Sequence, residues 1–167
     1  MNILRSKPNV FIHHSFRAGD HFKFVTKGKV AAIQLAQKVT CRRFCTFLVY
    51  KNASLKVGPG VFFNNGCSIN CLHLIEIGDQ SIFGENVRIY DHNHAYNTSN
   101  GLKVEGDKYT TAPVQIGKNC WIGSNVIILK GVTIGDNVIV GANCLIHDSI
   151  ASNSIVMHEE RLIIRSL

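Results

Sequence analysis

The chain has 167 residues, and 46% of them are hydrophobic, which is enough for one domain with its own core. Its net charge of +7 predicts attraction to an anionic ligand, such as nucleic acid, an acidic membrane surface or a polyphosphorylated small molecule. No basic helix or basic stripe interleaved with aromatic residues argues for nucleic acid, and no apolar run is long enough to span a bilayer.

Residues 1–56 show no clear repeat. The opening stretch MNILRSKPNVFIHH lacks the apolar core of a signal peptide, so we expect a cytoplasmic protein. The stretch KVAAIQLAQKV is compatible with either a strand or a short helix. Because the end of a repetitive fold needs protection, we predict that residues 1–56 form an N-terminal capping segment.

A six-residue period begins at Val57. The units read VGPGVF, FNNGCS, INCLHL, IGDQSI, FGENVR and IYDHNH, with two extra residues before IGDQSI. From Val114 the period returns as VQ, IGKNCW, IGSNVI, ILKGVT, IGDNVI, VGANCL and IHDSIA. The first position is always aliphatic or Phe, Gly often follows it, and Asn or Gly usually stands fourth.

A period of six fits neither an α-helix nor simple strand alternation. Each unit is typical of a short strand followed by a turn, with Gly and Asn supplying the unusual backbone conformations of the turn. Three units make one triangular coil, and stacked coils make a parallel β-helix over residues 57–156. The constant period argues against an ordinary β-sandwich, which would show strands of irregular length. The tail, residues 157–167, is expected to be a short helix or strand.

The rhythm breaks between Tyr90 and Pro113, where the polar stretch AYNTSNGLKVEGDKYTTAP is inserted. We predict a protruding loop over residues 95–113. It begins directly after DHNH, which holds His92 and His94. A loop at one corner of a prism can form the wall of a cleft, so we expect this segment to build a functional site. Its many hydroxyl and amide groups suit a sugar better than an acyl chain or a steroid.

Six cysteines occur without the paired C-x2-C spacing of a structural zinc site. Cys67, Cys120 and Cys144 share one position of the hexad, where other repeats carry Val. We therefore interpret the cysteines as small buried hydrophobic residues, as is common for free thiols, and free thiols suit a reducing compartment.

These repeats, above all PVQIGKNCWIGSNVIILKGVTIGDNVIVGANCLI, resemble those of the hexapeptide-repeat O-acetyltransferases, which include galactoside, maltose and capsular or lipopolysaccharide sugar acetyltransferases. The resemblance runs from about Val57 to Ala151. It implies an all-β, left-handed parallel β-helix that assembles as a homotrimer and binds acetyl-CoA between neighbouring prisms. It also implies transfer of an acetyl group to a saccharide hydroxyl, and we expect a role in surface polysaccharide biosynthesis.

The same resemblance assigns site residues. His94 matches the catalytic base, and histidine suits proton transfer near neutral pH. His92 is the rival for that role and is otherwise expected, with Asp91 and Asn64, to contact the acceptor. The alternative interpretation of Asn64 is that it serves only as a turn residue. The backbone N–H of Ser124 matches a donor to the thioester oxygen.

The cofactor residues are expected close to Ser124. Trp121 matches an aromatic residue beside the thioester, and Gly123, Gly141 and Ala142 match small residues that let the pantetheine arm approach. Lys130 is a candidate contact for the phosphates of the cofactor, although an exposed lysine is more often simply solvated. The chain departs from many relatives at His147-Asp148, where they carry Thr-Lys.

Two alternatives come from other classes of protein. The γ-type carbonic anhydrases use the same prism with zinc, but they require a His-x4-His pair that this sequence lacks. A non-catalytic hexapeptide scaffold is the other alternative, and the combination of His94, Trp121 and Ser124 argues against it. We therefore predict no metal site.

Overall fold

The computed structural model describes residues 9–158, and they contain strands and turns but no helix. The strands stack in three parallel sheets that form the faces of a triangular prism. Within residues 9–158, no helix is available that is long and apolar enough to cross a membrane. The predicted all-β parallel β-helix is confirmed.

Sheet I contains β1 (Val10–Ile12), β4 (Ala32–Leu35), β7 (Ser54–Val57), β10 (Leu74–Ile77), β15 (Val114–Ile116) and β18 (Thr133–Ile134). Sheet II contains β2 (Arg17–Ala18), β5 (Thr40–Cys41), β8 (Phe62–Phe63), β11 (Ile82–Phe83), β16 (Trp121–Ile122), β19 (Ile139–Val140) and β21 (Ile155–Val156). Sheet III contains β3 (Lys23–Lys27), β6 (Thr46–Tyr50), β9 (Ser68–Cys71), β12 (Arg88–Tyr90), β17 (Ile127–Ile128) and β20 (Leu145–Ile146).

The chain visits sheets I, II and III in turn, and each visit to all three makes one coil. Coils 1 to 4 contain β1–β3, β4–β6, β7–β9 and β10–β12, and coils 5 and 6 contain β15–β17 and β18–β20. A partial seventh coil adds β21 to sheet II. The prism therefore has an I–II corner, a II–III corner and a III–I corner, and each corner recurs once per coil.

The solenoid begins at Val10, whereas the sequence predicted a capping segment up to residue 56. Coils 1 and 2 pair in register with coil 3, as Val10 with Ile33 and Ile33 with Leu55 show. The stretch KVAAIQLAQKV contains β4 and no helix. These first coils are longer than the later ones, where Gln115 already pairs with Thr133. Their six-residue period is thereby lost, although the inward positions are still apolar.

The interior is a set of side-chain columns that run along the prism axis. Phe47, Phe63 and Phe83 are fully buried, and their ring centroids are 5.1 and 4.8 Å apart in succession. Aromatic pairs at this separation attract one another beyond their burial alone. Because the first position of every hexad points into these columns, the apolar character of that position follows from packing.

The corners rely on Asn and Gly because the turn needs a positive φ. Asn86, Asn125 and Asn143 have φ values of 57°, 58° and 62° at the II–III corner. Their amides also form a ladder: Asn86 donates to Asn125 over 3.3 Å, and Asn125 donates to Asn143 over 3.1 Å. The fourth position of the hexad is thus polar for two reasons, namely backbone conformation and bonding between coils.

All six cysteines are free and buried, as predicted. Burial raises the pKa of the thiols of Cys41, Cys71 and Cys120. Cys45, Cys67 and Cys120 each donate to a backbone carbonyl, those of Asn64, Gly84 and Gly135. The cysteines therefore act as small core residues, and their weak donors are satisfied by the backbone.

The insertion is an antiparallel hairpin of β13 (His92–Asn97) and β14 (Lys103–Thr111), with a register shift between His94 and Ala95. It leaves the prism at the III–I corner between coils 4 and 5. The predicted loop, residues 95–113, differs from this hairpin because His92 and His94 already belong to its first strand. Of the predicted tail, only Met157 and His158 lie within the described residues.

Candidate functional site

The base of the hairpin holds a cluster of two histidines and one tyrosine. His92 pairs with Thr111 and His94 pairs with Tyr109 across the hairpin. The ring of Tyr109 lies 5.4 Å from that of His92 and 4.7 Å from that of His94, measured between centroids. The spacing of the two histidines by two residues puts both side chains on one side of β13. His94 is exposed, whereas the side chain of His92 is only 15% exposed.

Asp91 is fully buried under this cluster. Its carboxylate accepts hydrogen bonds from the backbone N–H groups of Leu72 and His73 at 2.7–3.0 Å. Nδ1 of His92 lies 3.2 Å from its Oδ1. The sequence predicted that Asp91 contacts the acceptor, but a carboxylate without exposed surface cannot touch a substrate. In this structure Asp91 instead joins the corner of coil 3 to the ring of His92.

A second group of predicted site residues lies at the II–III corner. Asn64 follows β8 in coil 3, Gly123 and Ser124 follow β16 in coil 5, and Gly141 and Ala142 follow β19 in coil 6. Successive coils are spaced by ~4.8 Å, so Asn64 and Ser124 are separated by about 10 Å along the axis. The structure therefore brings these five residues onto one edge of the prism.

The backbone donors of Ser124 and Ala142 at this edge are unused among the described residues. Within residues 9–158, the N–H groups of Ser124 and Ala142 have no hydrogen-bond acceptor, while the Ser124 hydroxyl accepts from the N–H of Glu85 at 3.1 Å. Ser124 is half-buried and Ala142 is exposed. A free backbone N–H is the kind of donor that can stabilise a developing oxyanion or hold an amide of a ligand.

The requirement for glycine at position 123 has a structural reason that does not involve a ligand. A Cβ at this position would lie 2.6 Å from the backbone nitrogen of Ala142 in the next coil. The corner can therefore close only with glycine there. At Gly141 the space is less restricted, because a Cβ would lie 3.4 Å from Cγ of Met157.

Trp121 stands on the outer side of sheet II and is 54% exposed. It belongs to an outward column that also contains Phe62, Ile82, Ile139 and Ile155. Ile82 and Ile155 are 44% and 65% exposed. A contiguous apolar column of this kind usually marks a contact with another molecule.

Lys130 lies away from the other predicted cofactor residues. It follows β17 at the III–I corner, beside the base of the hairpin, where the N–H of Gly131 donates to the carbonyl of Pro113 at 3.1 Å. In one chain, sheet II is the face opposite the III–I corner. The histidine cluster and Lys130 are thus on one side of the prism, and Trp121 is on the other.

Metal binding finds no support in the described part of the chain. Within residues 9–158, no three His, Cys, Asp or Glu side chains are grouped so as to hold a metal ion. His92 is engaged with Asp91, and both histidine rings pack against Tyr109.

The fold and these corners define a β-helix built of hexapeptide repeats with one inserted, histidine-bearing hairpin. Residues 113–148 match the family model described as bacterial transferase hexapeptide (six repeats). The predicted resemblance to the hexapeptide-repeat acetyltransferases is therefore confirmed, and the left-handed β-helix is the fold of that group.

Named relatives agree with this. The chain is 34% identical over 83 residues to nodulation protein L of Rhizobium leguminosarum bv. viciae. This match covers 48% of the chain and 40% of the relative. It is 30% identical over 115 residues to galactoside O-acetyltransferase of Escherichia coli K12, with 69% and 55% covered. The chain thus spans about half the length of these relatives.

One solved structure supports both fold and sequence similarity. A maltose O-acetyltransferase from Clostridium difficile 630 superposes with a TM-score of 0.54 at 27% identity. The match covers 86% of this chain and 66% of the other.

Proposed function

We propose that this protein is an acetyl-CoA-dependent O-acetyltransferase that acts on a hydroxyl group of a saccharide. The observation that carries the proposal is that one chain holds both an exposed His94 on the inserted hairpin and, on the other side of the prism, a free Ser124 N–H beside Trp121. These groups supply the base and the oxyanion donor that acyl transfer to an alcohol requires. The names of the galactoside and maltose O-acetyltransferases support the same chemistry.

The groups exposed at the II–III corner are suited to binding the cofactor. The free N–H groups of Ser124 and Ala142 are donors for the carbonyl oxygens of a pantetheine arm, and Trp121 offers an exposed apolar wall. Acetyl-CoA, when bound there, supplies the acetyl thioester. Lys130 would meet its phosphates only from a neighbouring prism, because it lies at the opposite corner of its own chain.

In the proposed reaction His94 accepts the proton of the attacking saccharide hydroxyl. The hydroxyl oxygen forms a bond to the thioester carbonyl carbon, and the N–H of Ser124 donates to the oxygen on which negative charge develops. His94 then returns the proton to the sulfur as the C–S bond breaks. Asn64, two coils from Ser124 on the same edge, is placed to hydrogen-bond another hydroxyl of the acceptor.

His92 is the second candidate for the base. The buried carboxylate of Asp91 contacts its Nδ1 and so leaves Nε2 as the free nitrogen. This is how a base is commonly oriented in acyl-transfer enzymes. His94 has the greater exposure, and His92 has the fixed ring. Comparing His92→Gln with His94→Gln separates the two roles, because only loss of the base removes turnover while acceptor binding is retained.

The position of the groups supports a homotrimer. The histidines of one chain are on the side of the prism opposite its Trp121 and Ser124, so a single chain does not assemble base and oxyanion donor. Packing three prisms with closed symmetry allows the III–I corner of one chain to lie against sheet II or the II–III corner of the next, and this arrangement would bring the two groups together. The apolar column on sheet II then becomes covered.

The first test is calorimetric titration of the metal-stripped protein with acetyl-CoA. We expect one binding site per chain, and then thiol release from acetyl-CoA on addition of a saccharide acceptor. Absence of binding at millimolar acetyl-CoA would overturn the proposal. Within this proposal, the role is in surface polysaccharide biosynthesis and the location is cytoplasmic.

A further inference from the structure

The first two coils carry a surface that lies outside the residues to which the proposed function assigns a role. It lies at the II–III corner and on the adjoining part of sheet II. We call it the basic aromatic surface and define it by Arg17, His21, Arg42 and Phe44. All four side chains are exposed.

The aromatic half of this surface replaces the usual turn residues. In coils 3 to 6 the positive-φ position of the II–III corner is held by Gly66, Asn86, Asn125 and Asn143. In coils 1 and 2 the same position is held by His21 at a φ of 58° and Phe44 at a φ of 61°. A bulky residue is rarely found in this conformation because its Cβ crowds the backbone.

The two rings lie flat against each other. Their centroids are 4.8 Å apart with an interplanar angle of 4°, and Phe44 is 60% exposed. Stability alone would favour Asn or Gly here and would bury the phenyl ring. An unfavourable backbone conformation that presents an open aromatic face is a feature expected of a binding surface. Such a face is suited to the apolar side of a sugar ring.

The basic half lines two adjoining grooves that share Arg17 and Thr40. Their volumes are about 560 and about 380 Å³. Arg43 is paired with Asp20 at 3.3 Å. Among residues 9–158, no carboxylate pairs with the other cations of the grooves, Arg17, Lys38 and Arg42. The grooves therefore carry an excess of positive charge that an anionic ligand would neutralise.

This surface is continuous with the proposed acceptor site. Nη1 of Arg42 donates to Oδ1 of Asn64 over 3.4 Å, which joins coil 2 to coil 3. Ser124 is three coils from Arg42 along the same edge, or about 14 Å. On the side toward Ser124, Nδ2 of Asn65 donates to Glu85 over 3.0 Å, so negative charge lies there. A ligand at Asn64 that extends in the other direction meets Arg42 and Arg17, while Asp20 on that side is paired with Arg43.

We propose that the acceptor is an acidic saccharide, with one sugar ring on the stacked pair of Phe44 and His21 and its anionic group on Arg42 and Arg17. The anionic group is a carboxylate of a polymer or a phosphate of a nucleotide-linked sugar. The identification of the ligand as the acceptor rests on the proposed function, whereas the binding itself does not.

The test is equilibrium binding of three probes to the 167-residue chain without acetyl-CoA. The probes are an oligogalacturonate, a uridine diphosphate sugar and neutral maltoheptaose. We expect one of the two acidic probes to bind, and the binding to weaken as salt is raised because exposed charges are screened. The acidic probe that binds identifies the source of the anionic group. Equal binding of maltoheptaose, or no binding of either acidic probe, would overturn the inference.

Two variants connect the binding to this surface. Arg42→Gln should lower the affinity for the acidic probe roughly 10-fold, the usual effect of losing a charge-assisted hydrogen bond. Phe44→Asn should weaken it as well, yet leave the unfolding temperature unchanged or higher, because Asn accepts the positive φ. The matched controls are Arg88→Gln on sheet III and Phe11→Thr on sheet I, since Phe11 is 59% exposed. Equal effects of the controls, or unchanged binding by both variants, would contradict the proposal.

The inference can fail separately from the proposed function. If acetyl-CoA binds but no acidic probe does, the inference is wrong and the acetyltransferase proposal stands. If an acidic probe binds but acetyl-CoA does not, the surface is a saccharide site and the proposed reaction is wrong. Displacement of the acidic probe by CoA alone would assign the grooves to the cofactor and overturn the inference.

Discussion

The carboxylate of Asp91 and the imidazole of His92 form a contact that joins the core of the prism to the hairpin. Oδ1 of Asp91 lies 3.2 Å from Nδ1 of His92, and the carboxylate also accepts from the backbone N–H groups of Leu72 and His73. Two adjacent residues thus belong to different environments, one fully buried and one partly exposed. The hairpin is held in place at the point where it leaves the coil.

Replacing the buried carboxylate tests this contact. Asp91→Asn should lower the free energy of unfolding by roughly 1–3 kcal/mol, because its amide cannot accept all of these hydrogen bonds. Turnover should fall with KM little changed if the contact orients His92. Thermal unfolding and steady-state kinetics measure the two effects.

A double-mutant cycle of Asp91→Asn and His92→Gln then isolates the contact between the side chains. Groups that act through one another show non-additive losses in kcat. If the losses in kcat are additive, and if Asp91→Asn alone lowers only the stability, the role of Asp91 is purely structural.

His94→Ala should lower turnover by ~10²–10⁴-fold, the usual contribution of a positioned base. Acetyl-CoA affinity and oligomeric state should be unchanged, since the side chain is exposed and lies on the hairpin. Calorimetry and sedimentation serve as controls. Near-normal turnover would transfer the role to His92.

Ser124→Ala should have little effect on turnover, because the proposed donor is the backbone N–H. The hydroxyl accepts from Glu85 N–H, so the variant should lose about 1 kcal/mol of stability. Chemical denaturation measures that loss. A large decrease in kcat at unchanged stability would show that the hydroxyl itself takes part.

The apolar column of sheet II predicts association. Ile82→Lys should shift the protein toward monomers in sedimentation velocity, because a charge would be buried in the interface. Turnover should fall in parallel, since in the proposed trimer the base and the oxyanion donor come from different chains. The control is Thr133→Lys on sheet I, which should leave the oligomeric state unchanged in sedimentation velocity. A trimer that persists in Ile82→Lys would exclude sheet II from the interface.

The thiols offer a test of the core. Native protein should react very slowly with a thiol reagent at pH 8, because all six cysteines are buried and out of reach of the reagent. Burial also raises the pKa of Cys41, Cys71 and Cys120, whereas a hydrogen bond with Cys67 lowers the pKa of Cys45, so slow reaction of Cys45 depends on burial alone. In guanidinium all six should react at once. Fast reaction of any thiol in the native state would contradict the packing described for these columns.

Much of the fold could be predicted from the hexads. A repeated apolar first position and a polar fourth position are local requirements of a column and a turn, so they are visible wherever the coil has 18 residues. In coils 1 and 2 the extra residues lie in the longer strands of sheet III and at the III–I corner, while turns of the usual length carry Phe44, His21 and Lys38 at positive φ. No local rule predicts a bulky residue there, which is why residues 10–56 were not recognised as coils.

The candidate site divides in the same way. Sequence periodicity determined the β-helix and the buried cysteines, and the family resemblance supplied the candidate residues His92, His94, Trp121 and Ser124 from contiguous motifs. Only the tertiary structure decided that Asp91 is buried, that Arg42 contacts Asn64, and that the histidines and Trp121 lie on opposite sides of one prism. These facts depend on which coil lies above which, and stacking is a relation between residues about twenty or more apart that no local pattern encodes.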